Sequence, residues 1–167
     1  MPYARMALSV GVEWSSLVAT GLGAVLGVGA TLVGEQVRWR RTTRDNRLQD
    51  RRNLYADCLV SFRKAHEAMR LAADEEHPTP QARAARIRQV YQASGCDEAR
   101  ERLILTATDE VASAIDASYI SLRRIREVLA SGATVPAPDY QVAREAHRET
   151  TEAARNVLRR DLSSLDV

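Results

Sequence analysis

VASAIDASYISLRRIREVL, residues 111–129, is the stretch whose reading decides the fold class. Val111, Ile115, Ser118, Leu122, Ile125 and Leu129 recur in alternating steps of four and three, which places all six on one face of a helix. A half-buried strand would need alternation every second residue, and the stretch does not offer it. Ser131-Gly132 and the loop around Pro136 and Pro138 end the pattern, because glycine and proline both disfavour continuing a helix.

The same period extends outward on both sides. Toward the C-terminus, Asp139 reads as a helix cap, and Ala143, Ala146, Thr150, Ala153, Val157, Leu158 and Leu162 form a stripe running to about Leu165. Toward the N-terminus, a helical region begins near Asp97. Its segment Leu103-Ile104-Leu105-Thr106 reads either as a helix with a break before Thr108 or, by composition, as a short strand; the absence of a nearby pairing segment favours the helix. Farther upstream, Thr79 reads as an N-cap with Pro80 at the first helical position, starting a helix through Ile87, Val90 and Tyr91 that stops at Ser94-Gly95. The run from Asp74 to Pro80 carries two prolines and breaks the chain before that helix. Before it, Leu48, Tyr55, Leu59, Phe62, His66, Met69 and Ala73 form one more stripe.

Four amphipathic helical regions with short connections predict an all-α, antiparallel bundle over residues 53–167, with its first helix continuous with the segment upstream. The candidate core is rich in alanine. Small side chains let helices approach closely but bury little area each, so the sequence predicts a modest core that gains from self-association or from a protein partner.

The first third of the chain is different. Residues 14–34 carry no charge and are held between Glu13 and Glu35. Twenty-one residues at about 1.5 Å each span roughly 31 Å, close to the hydrocarbon thickness of a bilayer. Trp14 and Trp39 would then stand near the two interfaces, where amphipathic rings prefer to lie. A buried core helix is the alternative, and it would need apolar partners all round. Residues 1–13 are read as a short external N-terminus, 14–34 as a single transmembrane helix and 35–52 as an arginine-rich juxtamembrane helix.

Charge sets the expected orientation. Residues 1–12 offer only Arg5, whereas residues 36–52 offer Arg38, Arg40, Arg41, Arg44, Arg47, Arg51 and Arg52. The positive-inside rule therefore predicts an N-terminus outside and a bundle in the cytoplasm, at the plasma or inner membrane. A cleavable signal peptide would carry its charge before a shorter apolar core, the reverse of this order. Arg38, Arg40, Arg41 and Arg44 lie within reach of anionic lipid headgroups, while Arg51 and Arg52 stand more than two Debye lengths away on a helix leaving along the membrane normal. The net charge of +2 hides this asymmetry, because residues 53–167 carry 16 basic and 18 acidic groups. A bundle without basic excess is not expected to bind nucleic acid.

Within the apolar segment, Ser15, Ala19, Gly23, Gly27 and Thr31 repeat every fourth residue and contain a G-x-x-x-G. Such a ridge of small residues lets a second helix approach closely, against the plainer reading in which the same residues simply face lipid. Catalytic spacing is not found. Cys58 and Cys96 match no metal-ligand pattern and would stay reduced in the cytoplasm; His66 falls on an apolar stripe; Asp74 and His77 make a two-ligand spacing in a loop, which is weak. No phosphate-binding glycine loop or nucleophile elbow is present, so no enzyme, cofactor or metal is predicted.

A glycine-rich membrane helix, the exit Glu35-Gln36-Val37-Arg38-Trp39-Arg40-Arg41 and the opening Arg51-Arg52-Asn53-Leu54-Tyr55-Ala56-Asp57 of a helical domain resemble a large group of uncharacterised single-pass proteins of high-GC actinobacteria. In the same layout the chain is loosely similar to KilB-type proteins associated with conjugative plasmid transfer. The resemblance carries over no functional residue. The sequence thus predicts a membrane-anchored helical interaction module, an adaptor or scaffold at the inner face of a bacterial membrane. The alternatives are a membrane-active factor linked to plasmid transfer or toxicity, and an anchored small-ligand sensor or enzyme.

Overall fold

The structure is a computed structural model, and it describes Asn46 and residues 48–165. The predicted membrane segment 14–34 lies outside the described residues, as do Trp39 and the collar arginines Arg38, Arg40, Arg41 and Arg44. Among the described residues no helix is long and apolar enough to cross a membrane.

Five helices and no strand make up the described chain: α1 (48–74), α2 (Pro80–Ala93), α3 (Cys96–Ile104), α4 (Asp109–Ala130) and α5 (Pro138–Leu165). The region predicted as one broken helix after Asp97 is two. Leu103 and Ile104 close α3, Leu105 and Thr106 follow as a turn, and Thr108 then caps α4 by accepting the Val111 N–H at 3.4 Å, with Asp109 and Glu110 set favourably in the first turn. Thr79 caps α2 as expected, its Oγ1 accepting from the Ala82 N–H at 3.1 Å ahead of Pro80. Asp139 is not the cap of α5 but lies within its first turn, one residue after Pro138.

Two glycines hold left-handed backbone. Gly95, at φ +69°, turns the chain from α2 into α3. Gly132, at φ +109°, ends α4 in a Schellman motif: the Gly132 N–H donates to the Leu129 carbonyl at 3.2 Å and the Ala133 N–H to the Val128 carbonyl at 3.3 Å. The Arg83 guanidinium reaches over from α2 and donates to the carbonyls of Leu129 and Ala133, at 3.1 and 2.6 Å. A neighbouring helix thereby adds a charged donor to the C-terminal turn of α4 and to Ala133 just beyond it.

The direction of each helix follows from its cross-links. Tyr55 meets Asp161 and His66 meets Tyr140, so α1 and α5 run antiparallel. Glu110 pairs with Arg160, Ser118 with Thr151 and Ser121 with His147, so α4 and α5 are antiparallel too. Arg83 lies at the end of α4, and Arg126 stacks on Tyr91, which sets α2 against α4 in the same sense. The antiparallel bundle expected from the sequence is therefore present, with the short α3 packed beside α4.

Helix α4 buries Val111, Ile115, Ser118, Leu122, Ile125, Val128 and Leu129. Tyr55, Phe62, Met69, Ile87, Tyr91, Leu103, Tyr140 and Leu158 fill the core around it, while Ala65, Ala72, Ala73, Ala143 and Ala154 bring the helices close. The stripe expected on α5 holds at Ala143 and Leu158 and is displaced by one residue at two places, where His147 and Ala154 are buried and Ala146 and Ala153 face solvent; Tyr140 is buried as well. A tyrosine ring removes far more apolar area from water than an alanine methyl, and Tyr140 sets the helix rotation.

Candidate functional site

The residues predicted to act in the membrane, Trp14, Ser15, Ala19, Gly23, Gly27, Thr31, Arg38, Trp39, Arg40, Arg41 and Arg44, all lie outside the described residues. Those weighed for chemistry are dispersed. Cys58 and Cys96 are buried free thiols. Burial, and then the neighbouring Cys96, pushes the Cys58 thiol up to about 12, and burial raises Cys96 as well, so neither is a thiolate at neutral pH. Asp74 pairs with Arg70, and the His77 imidazole Nε2 bonds the Ala72 carbonyl at 2.7 Å near the end of α1. Asp74, the last residue of α1, and the loop histidine His77 thus both engage the end of that helix. Among the described residues no group of three or more His, Cys, Asp or Glu could hold a metal ion.

What the tertiary structure does assemble is a groove between α1 and α5, about 210 Å³ in volume. From α1 it takes Leu59, Phe62, Arg63 and His66, which share a face because they lie three or four residues apart. From α5 it takes Arg144, His147, Arg148, Thr151 and Arg155 by the same spacing. Phe62 is buried at the base, 6.0 Å from the Tyr119 ring centroid.

A polar seam runs behind the groove. His66 Nε2 and the Tyr140 hydroxyl are 3.0 Å apart, and the His66 and His147 rings meet edge to face at 5.6 Å. His147 Nδ1 lies 2.9 Å from the Ser121 hydroxyl, which is 2.8 Å from that of Thr150 and donates to the Ser118 carbonyl at 2.7 Å. Through the Ser121 hydroxyl, which meets all three groups, the His147 ring is tied to α4. Ser118 and Thr151 pair at 2.8 Å one turn away. No buried side-chain nitrogen or oxygen among the described residues is left without a partner.

Both imidazoles are neutral at physiological pH. Burial, then the charge on Arg144, lowers His66 from its ordinary value. Burial, then His66, with Arg155 adding to them, depresses His147 to about 4. Of the four groove arginines, Arg148 is bound by Glu145 at 2.6 Å and Glu152 at 3.4 Å. Arg63, Arg144 and Arg155 have no carboxylate within ion-pair distance among the described residues; Arg144 reaches only the Gln141 side chain, at 3.3 Å.

Sequence reasoning left His147 out and took none of these arginines together. The available signal was the four-residue ladder Arg144, Arg148, Thr151, Arg155 on α5, which reads as a solvated face until α1 is seen to lie beside it. No protein-family model, curated protein or solved structure matches the chain.

Proposed function

We propose that this chain is a single-pass, membrane-anchored interaction module at the inner face of a bacterial membrane, with its N-terminus outside and its helical bundle in the cytoplasm, acting by binding rather than by catalysis. The observation that carries the reading is the order of the parts. A charge-free segment over residues 14–34 is followed by seven arginines before residue 53, and residues from Leu48 onward make a compact unit with a core of its own. An anchor, a lipid-facing collar and a separately folded bundle are what an adaptor needs. Anionic headgroups are the partner of Arg38, Arg40, Arg41 and Arg44; a second copy, through the ridge of Ser15, Ala19, Gly23, Gly27 and Thr31, or a protein partner completes the assembly. A second reading, an anchored sensor of a small ligand, draws support from the groove between α1 and α5.

Topology is the decisive test. A cysteine placed at Ser9, in a chain carrying Cys58→Ala and Cys96→Ala, should react with a membrane-impermeant thiol reagent in intact cells. Labelling that appears only after lysis overturns the proposed orientation.

A further inference from the structure

We propose that the groove between α1 and α5 is a binding site for a small organic oxyanion, a carboxylate or phosphate carried on an apolar body. The proposal deepens the sensor reading and does not depend on how the anchor is oriented.

Charge is the first argument. Residues 53–167 carry two more acidic than basic groups, yet Arg63, Arg144 and Arg155 converge on one groove with no direct carboxylate partner among the described residues. Of the acids beside them, Glu145 and Glu152 pair with Arg148 and Glu67 pairs with Arg70 at 2.7 Å, while Glu67 and Glu145 also feel Arg63 and Arg144, respectively, at longer range. Positive charge gathered along a cleft is where an anion collects, because low-dielectric walls focus the field. The imidazoles register these charges: after burial, Arg144 lowers His66 against an opposing effect of Glu67, and Arg155 adds to the lowering of His147.

Shape and chemistry argue for the class of ligand. The base is apolar, with Phe62 fully buried and Leu59 half-buried, so part of the ligand should be apolar as well. Guanidinium groups on opposite walls, Arg63 from α1 and Arg144 and Arg155 from α5, suit the spread oxygens of a carboxylate or phosphate, which a planar fork recognises. A volume near 210 Å³ fits a single ring with its acid group and is too small for a folded segment. His147 lines the groove as a neutral imidazole, a partner for a ligand hydroxyl or a monoprotonated phosphate.

The test uses the full chain in a nonionic detergent, with the imidazole resonances of His66, His147 and His77 followed by NMR. Benzoate and phenyl phosphate are the anionic probes, benzyl alcohol the neutral one and inorganic phosphate the one without an apolar body. Saturable shifts of His66 and His147, but not of His77, by either organic anion are expected, and which anion binds more tightly identifies the acid group. Arg144→Gln and Arg155→Gln should each weaken the stronger anion about tenfold, and added salt should weaken it further. Arg159→Gln, on an exposed part of α5 outside the groove, should change affinity by less than about twofold. Unaltered His77 shifts and circular dichroism in each variant exclude a folding defect. The proposal is overturned if benzyl alcohol binds as well as the anions, if inorganic phosphate binds as tightly as phenyl phosphate, if the groove variants bind like the native chain, or if no probe saturates at millimolar concentration.

Discussion

His147 illustrates how much one side chain's surroundings matter. In an extended chain its imidazole titrates near 6.5; in the bundle, burial and the neighbouring His66 bring it to about 4. Below pH 6.5 the unfolded chain therefore takes up a proton that the folded chain refuses, and stability is lost as pH falls from 6.5 to 4, levelling off beneath that. The full difference corresponds to roughly 3 kcal/mol. His147→Asn keeps an amide donor toward Ser121 and cannot titrate, so urea unfolding between pH 7 and 4 should show a shallower loss than the native chain. His66, lowered by burial and by Arg144, and toward pH 4 the arginine-paired Glu67, Glu75 and Glu145 supply the part that persists. An identical slope in the variant would remove His147 from the acid response. Phe62 is the matching apolar case. It is buried under the groove, and Phe62→Ala should destabilise the bundle by roughly 3–5 kcal/mol, read from the denaturation midpoint at constant slope.

At the scale of elements, α5 is fixed to its neighbours chiefly at three levels. Tyr140 and His147 hold its first half against α1 and α4, Thr150 and Thr151 bond Ser121 and Ser118 at its middle, and Asp161 clasps the start of α1 at its end. There the Tyr55 hydroxyl donates to the Asp161 carboxylate at 2.6 Å and Arg51 to the same oxygen at 3.1 Å. Burial, then the bond to Asp161, raises the Tyr55 phenol and keeps it a donor. Arg51 is thereby drawn into the bundle. Asp161→Asn retains the shape of the side chain and removes its charge. It should cost about 1–3 kcal/mol and speed amide exchange in the last two turns of α5, with the exchange of α2 unchanged. Uniform acceleration across all helices would mean that the clasp supports the whole bundle rather than its end.

At the scale of the whole molecule, two features bear on association. The buried positions of α1 and α5 include Ala65, Ala72, Ala73, Ala143 and Ala154, small side chains that contribute little burial apiece. Val60, Leu71, Leu105, Ile120 and Val142 remain at the surface of the described bundle, spread over three helices and a turn. Neither feature forms a single large apolar face, so on the reading proposed above the membrane segment is the expected seat of self-association. Replacing Gly23 and Gly27 with leucine fills the groove of the small-residue ridge while making the segment more apolar. Membrane insertion should be kept and self-association in a membrane reporter assay should fall, beside a control exchanging Val25 and Leu26 for other large apolar residues. Equal signals from all versions would assign any oligomer to the bundle.

The sequence by itself determined the helices and most of their ends. Apolar residues at helical spacing from Val111 to Leu129, the Thr79-Pro80 start and the Ser131-Gly132 stop each act through bonds and sterics within a few residues, and local physics of that kind is readable in order along the chain. It also foretold the antiparallel packing, because short connections leave little other choice. The rotation of α5 was not readable: Ala146 and His147 are adjacent, both suit a helix, and only the competition between Tyr140 and the alanines for a place against α1 and α4 decides which one is buried. The groove belongs to the same class of facts. Arg63 and Arg155 lie 92 positions apart, and what makes them one positive site is the side-by-side packing of α1 and α5. Helix formation is local, whereas the field inside a cleft is summed over side chains that the fold alone brings within reach of one another.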